Sequence, residues 1–276
     1  MFDITAIILT KNEEVNIENC IKSVKNFVKR IVVIDSGSTD KTINIAKKHL
    51  ADVFINEYLY YAQQFNWGIN NTIIDTEWIL RIDADEVFSE DLWKEIRYHI
   101  DTSNNLITGI AIEADLFFMG KKLKYGSSKK RKIMLFKTGF GEIENIKRDA
   151  HTIINSGKIV SLKNRFLHKD YKSLEHYIQR YNKYSIFEAD DYISRTALIS
   201  KGALSDRIIS RKRNMKFGVY YRFPRFIRAH LWYLYNYYFK LGFLDGIEGK
   251  IYNFLECYWY RFLVDANIYE KEKYDE

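Results

Sequence analysis

Three short polar clusters in the first third of the chain hold the side chains best suited to chemistry. They are Thr10-Lys11-Asn12-Glu13, Asp35-Ser36-Gly37-Ser38-Thr39-Asp40 and Asp83-Ala84-Asp85-Glu86. In the last of them, within WILRIDADEVF (residues 78–88), carboxylates stand at i, i+2 and i+3 behind an apolar run. Carboxylates crowded in this way repel one another, so losing one should stabilise the chain unless a cation lies between them. A hard divalent ion is the usual solution, held through one or two carboxylates plus a substrate's phosphates. The bland reading is a solvated acidic turn, just as DSGSTD alone reads as a turn with a helix cap. Three clusters in corresponding places argue for a shared site.

The elements that position them alternate between two periods. ITAIIL (4–9), IVVI (31–34), DVFI (52–55) and WILRI (78–82) are short apolar runs and read as strands. Between them lie helical patterns: Val15, Ile17, Ile21, Val24 and Val28, then a helix capped by Ser38 or Thr39 and running through Leu50, then one over roughly 60–71. Ser89 opens a further helix to about Ile100. Strands alternating with helices of this length imply βαβ units and a mostly parallel, Rossmann-like α/β sheet flanked by helices. Right-handed crossovers put the loop after each strand along one edge of the sheet, where ligands bind in open α/β folds. All three clusters fall on that edge.

Composition bounds what else the chain can be. Its 276 residues, 47% hydrophobic and 29% charged, suffice for a sizeable core. Pro224 is the single proline, and Cys20 and Cys257 form no CxxC, which suits a reducing compartment. MFDITAIILTKNEE reads as a strand rather than a signal peptide. No apolar run approaches 18 residues, so a spanning helix is not expected.

ILTKNEE, VVIDSGSTDKT, AQQFN and WILRIDADE, in this order, resemble the nucleotide-sugar half of GT-A-fold glycosyltransferases of family two. The likeness is greatest to bacterial enzymes of lipopolysaccharide-core and capsular polysaccharide synthesis. It continues through RKIMLF (131–136), RDAH (148–151), FLHKDYKSLEHYIQRYNKYS (166–185) and GFLDG (242–246). The resemblance implies an inverting transferase that uses Mn²⁺ or Mg²⁺ and a nucleotide-sugar donor, commonly a UDP-hexose. It implies that Thr10, Asn12 and Glu13 line the nucleotide pocket, that Asp35 contacts base or ribose, and that Gln64 and Asn66 match an amide pair of the donor site. Ser38 and Asp40 match the rest of the donor signature and equally turn and cap residues. Asp83 and Asp85 match the DxD that holds the metal, and His168 a late histidine closing the metal or diphosphate site.

Two positions depart from the family. Arg81 interrupts the strand before the acids, where it could pair with them or face a phosphate. His151-Thr152 stands where relatives often carry His-Glu, so the carboxylate that could serve as base is missing. Asp149, kept ionised by Arg148, is the first candidate to take the acceptor's proton, His151 the second, with Glu142 or Glu144 behind them.

The second half reads differently. A basic loop runs from Lys121 to Lys132 around Gly126-Ser127-Ser128, and 18 of the chain's 44 aromatic residues fall within 217–262. Arg207, Arg211, Lys212, Arg213, Lys216, Arg222, Arg225 and Arg228 face one acid there, Asp206. Such interleaving suits the headgroup region of an anionic bilayer, a nucleic acid, or a helical subdomain packed on a partner. The expected organisation is a catalytic domain over 1–190 and a helical, membrane-surface region over 191–276. The chain would then sit in the cytoplasm, peripheral on the inner face of the plasma membrane, with a glycan or lipid-linked acceptor and no nucleic-acid partner. Alternatives of other classes are a nucleotidyltransferase, a phosphatase of the haloacid dehalogenase type, and a basic nucleic-acid-binding protein. A DxD after the fourth strand rather than the first argues against the phosphatase.

Overall fold

The computed structural model describes residues 1–102, 106–194 and 207–274, with side chains outside 207–210, 212 and 213. β1 (Phe2–Thr10), β2 (Val28–Asp35), β3 (Asp52–Ile55) and β4 (Trp78–Asp83) form a parallel block in the order β3-β2-β1-β4. Helices α1 (Ile17–Val24), α2 (Thr42–Lys48) and α3 (Tyr61–Asn71) supply the crossovers. Successive residues of the central strand are buried on alternate faces. Ile4, Ala6 and Ile8 pack with α1 residues Ile17, Cys20, Ile21 and Val24, whereas Ile7 packs on the other face with Phe65 of α3. A strand buried on both faces has no polar side to offer except at its end, so polar chemistry collects at the rim.

The α2 cap differs from expectation. The helix begins at Thr42 with Lys41 at its N-cap position and no side-chain cap there; Asp40, one residue earlier, accepts from the Thr42 backbone N–H at 2.9 Å. Ser38 is drawn away to Asp35 and to the Asn12 backbone.

Beyond β4 the sheet turns mixed. A short strand β5 (Glu86–Val87) and helix α4 (Glu90–Thr102), capped by Ser89 as expected, lead into β6 (Ile107–Phe118). After β7 (Lys121–Lys122), β8 (Arg131–Lys137) inserts antiparallel between β4 and β6. β9 (Gly141–Ile143) and β10 (Thr152–Ile154) make a separate hairpin. β11 (Lys158–Ser161) and β12 (Phe166–Lys169) both add parallel to β6, and β12 pairs antiparallel with β5.

Helix α5 (Leu174–Ile193) runs back over the rim and packs on α9 (Tyr260–Tyr274) through Tyr181, Ala189, Tyr260, Val264 and Ile268. The domain boundary expected at 190 therefore falls inside α5. The remaining helices are α6 (Arg207–Gly218), α7 (Ile227–Leu234) and α8 (Gly246–Asn253), with a π-helical turn over Tyr235–Phe239. Arg228 and Asp265, both almost wholly buried, pair across α7 and α9, so part of the basic segment holds the fold rather than facing outward. Asp206 lies outside the described residues, as do the side chains of Arg207, Lys212 and Arg213. Both cysteines are buried and free. Among the described residues no helix is long and apolar enough to cross a membrane.

Candidate active site

Register brings the three clusters together. Thr10 lies opposite Asp35, and Leu9 opposite Asp83, so the ends of β1, β2 and β4 share one rim. Pairing of β12 with β5 sets His168 opposite Glu86 and carries its ring to within 3.2 Å of Asp85 Oδ2. Asp83, Asp85 and Glu86 bring one ligand atom each to within 4.8 Å of the others, a grouping that could hold a metal ion. The third acid of that group is Glu86, whereas sequence had put His168 in that place.

The acids are not left to repel one another. Lys132 of β8 puts its Nζ 2.7 Å from Asp83 Oδ2 and 2.6 Å from Glu86 Oε1. The Tyr61 hydroxyl donates to Asp83 Oδ1 at 2.8 Å, and the Asp83 backbone N–H donates to Glu86 Oε2 at 3.0 Å. Burial works against ionising Asp85, but His168 outweighs it, with Arg180 and Lys132 adding, and its carboxyl lies well below the usual range. Asp83 is also lowered, Lys132 and Arg81 overcoming its burial. Glu86 is pushed up to about 7, chiefly by burial. His168 is raised despite burial, because Asp85 and Glu86 face it. Its Nε2 is engaged with Asp85 Oδ2 rather than turned toward a further ligand.

Glu13 and Thr10 lie on the same cavity wall. Glu13 accepts from Lys172 at 2.6 Å and from Asn16 at 2.8 Å, yet burial and the nearby Asp85 raise it to about 7. Asp35 is wholly buried with both oxygens engaged, by Thr10, the Gly37 and Ser38 backbones and the Ser38 hydroxyl. A base or ribose would have to take one of those bonds.

Four residues matched to the donor bond neighbouring protein groups in this structure. Asn12, at φ 52°, uses its side-chain oxygen on the Thr39 backbone N–H, and asparagine tolerates this left-handed conformation. Ser38 ties the same two loops together. Gln64 is buried and bridges Ser36 to Asn56. Asn66 spends both ends of its amide on the backbone of Ile143, fastening α3 to the hairpin. None of the four lines the cavity.

Arg81 meets the acids only through an intermediary. Its Nε donates to the Tyr61 hydroxyl at 2.8 Å, which in turn donates to Asp83, while the other nitrogens reach Thr152 Oγ1 and the Ala150 carbonyl. Thr152 is buried and donates to the Ile133 carbonyl, so the residue in place of the missing glutamate is a support. Asp149 is clamped by Lys216 at 2.7 Å and Arg148 at 3.6 Å. Those charges overcome burial and hold its carboxyl well below the usual range, so it is a poor proton acceptor. The Glu144 backbone N–H bonds to the His151 carbonyl at 2.9 Å. That bond extends the hairpin ladder by one pair and sets Glu144 across from His151. Both side chains line the cavity. Sequence reasoning passed over Lys132 as one of a basic run and ranked Glu144 last.

The cavity holds about 1240 Å³ and runs from the acidic turn to an aromatic and cationic wall of Arg148, Arg180, Tyr181, Tyr184, Lys216 and Arg261. Arg148 stacks 4.2 Å from the Tyr184 ring centre. Four parallel strands ending in an acidic turn, continued by an antiparallel insertion beside a large cavity, define a GT-A-type sugar-transfer fold. The model of the family "Glycosyl transferase family 2" matches residues 5–169. An uncharacterised glycosyltransferase of Rickettsia typhi is 32% identical over 220 residues, 76% of this chain and 74% of that one. A counterpart from Rickettsia prowazekii is 31% identical over the same shares. Among solved structures, glucosyl-3-phosphoglycerate synthase from Mycobacterium tuberculosis, crystallised with Mn²⁺, UDP and glucosyl-3-phosphoglycerate, aligns at TM-score 0.34 and 21% identity over 41% of this chain and 44% of its own. The chain belongs to glycosyl transferase family 2 and is a nucleotide-sugar glycosyltransferase.

Proposed function

We propose that the chain moves a hexose from UDP to a glycan or lipid-linked acceptor with inversion, holding a divalent ion on Asp83 and Asp85. The observation that carries this is the three-acid turn at the end of β4 opening on the cavity. Its donors are all carboxylate oxygens, which fits a hard ion such as Mn²⁺ or Mg²⁺. When bound, that ion neutralises charge developing on the leaving diphosphate. Thr10 and Glu13 line the nucleotide end; His168 holds Asp85 ionised; Arg81 orients Asp83 through Tyr61. The choice of UDP, inversion, and a place in lipopolysaccharide or capsule synthesis rest on family resemblance. Glu144 and His151, adjacent across the hairpin, are the groups assigned to remove the acceptor's proton, which puts Glu144 in the role left empty at Thr152.

A screen of nucleotide sugars for metal-dependent nucleotide release tests this. One UDP-sugar should be turned over with Mn²⁺ or Mg²⁺ and not after EDTA; release indifferent to EDTA would refute the metal-assisted route.

The acceptor reading draws on the opposite end of the cavity. Trp232, Tyr235, Asn236 and Lys240 line it there, beside an outward face carrying Phe239, 80% exposed, and Ile247, 62% exposed. Two acids of this segment turn inward, Asp245 accepting from the Lys124 and Tyr125 backbones and Glu256 pairing with Lys130, while Glu248 pairs at the surface with Lys121. An apolar face with its acids neutralised suits attachment to an anionic bilayer on the cytoplasmic side. Full-length protein should sediment with anionic vesicles more than with neutral ones. Removing two inserted side chains, each worth roughly 1.5–3 kcal/mol, should weaken binding about 100-fold or more in Phe239→Ser with Ile247→Ser. Equal and weak binding to both vesicle types would make this face a protein-packing surface.

A further inference from the structure

We infer that Lys132 is an internal counter-cation of the acidic turn, which a divalent ion must displace and which then serves the donor's diphosphate. This rests on the metal-dependent reading above and adds to it an order of events.

Placement is the first support. β8 pairs antiparallel with β4, Trp78 opposite Lys137 and Leu80 opposite Leu135. Continuing that register by three residues brings Lys132 level with Asp83. Its ammonium bridges Asp83 Oδ2 at 2.7 Å and Glu86 Oε1 at 2.6 Å. The remaining oxygens of those two acids are held by the Tyr61 hydroxyl and the Asp83 backbone N–H. A divalent ion ligated at roughly 2.0–2.6 Å needs an oxygen that the ammonium now occupies. Two cations held at one oxygen repel each other at that range, so each weakens the other's hold.

The second support is the place open to the displaced group. Lys132 lines the cavity, with a side chain 17% exposed. Its four-carbon stem lets the ammonium leave the acids and stay inside the cavity. A metal entering alone would evict it with no anion to receive it. A metal entering with a nucleoside diphosphate brings that anion. Metal and nucleotide should therefore bind synergistically, and by linkage each should strengthen the other equally.

The experiment is a Mn²⁺ titration of the full-length protein, following the paramagnetic resonance signal of unbound Mn²⁺, with and without UDP. Without UDP, Lys132→Met should bind Mn²⁺ at least ten-fold tighter than the parent, and the gain on adding UDP should shrink by a similar factor. Lys132→Arg, which keeps the charge, should resemble the parent. Metal-free Lys132→Met should melt lower, with Mn²⁺ restoring more of the loss than it adds to the parent. Lys132→Gln provides the same comparison should the methionine variant fail to fold. If the uncharged variants bind Mn²⁺ no tighter while the parent still takes up Mn²⁺ with UDP, displacement is overturned and the metal site stands. If no form takes up Mn²⁺ even with UDP, the metal reading falls and this inference with it.

Discussion

Asp85→Asn is expected to lower sugar transfer by about three orders of magnitude while leaving the fold intact. The ion it would help hold supplies several kcal/mol of charge stabilisation to the leaving diphosphate, and about 4 kcal/mol corresponds to about three decades of rate. The carboxylate is partly exposed at the cavity wall and its one hydrogen-bond partner, His168, can turn to water, so little packing is lost. Asp83→Ala should lose transfer as completely but also stability. It leaves the Tyr61 hydroxyl unsatisfied and takes one of two anions from Lys132, at a cost of about 1–3 kcal/mol. The expectation that removing one of several crowded acids would stabilise the chain is therefore corrected for Asp83: an internal cation already balances that acid. Nucleotide release and a circular-dichroism melt on each variant are the measurements. A fully active Asp85→Asn would remove Asp85 from the site.

The rim was legible because it depends on local patterns. Apolar runs of strand length separated by helical spacing force parallel pairing, and parallel pairing forces Thr10, Asp35 and Asp83 to one edge. What the residues do there was less legible. Asparagine, glutamine and serine in a loop look the same whether they bond a nucleotide or the neighbouring backbone, and Asn12, Ser38, Gln64 and Asn66 proved to bond protein. Lys132 was hidden for another reason. It reaches the acids from an antiparallel strand 49 positions along the chain, so nothing near WILRIDADE announces it. The helical segment was hard to divide because its aromatics mark no single face: Tyr252 and Tyr260 are buried while Tyr238 and Phe239 lie open.

Glu144→Gln is expected to lower turnover by roughly 10²–10⁴-fold, the usual loss for a missing general base, with UDP and metal binding unchanged. Sequence favoured Asp149, but a carboxylate clamped by Lys216 and Arg148 and held well below its usual range has little affinity for a proton. Asp149→Asn should then keep most of its rate and lose stability instead, because it weakens the pairing of Lys216, which also bonds Glu188 at 2.8 Å. His151→Ala should fall between them. If Glu144 takes the proton, the imidazole beside it across the hairpin orients the acceptor; if His151 takes it, Glu144 orients the ring. The pH profile separates these two. A rate limb that persists in Glu144→Gln and vanishes in His151→Ala gives the proton to the histidine. The opposite pattern gives it to the glutamate, whereas a full rate in both variants together with a dead Asp149→Asn would return the role to Asp149.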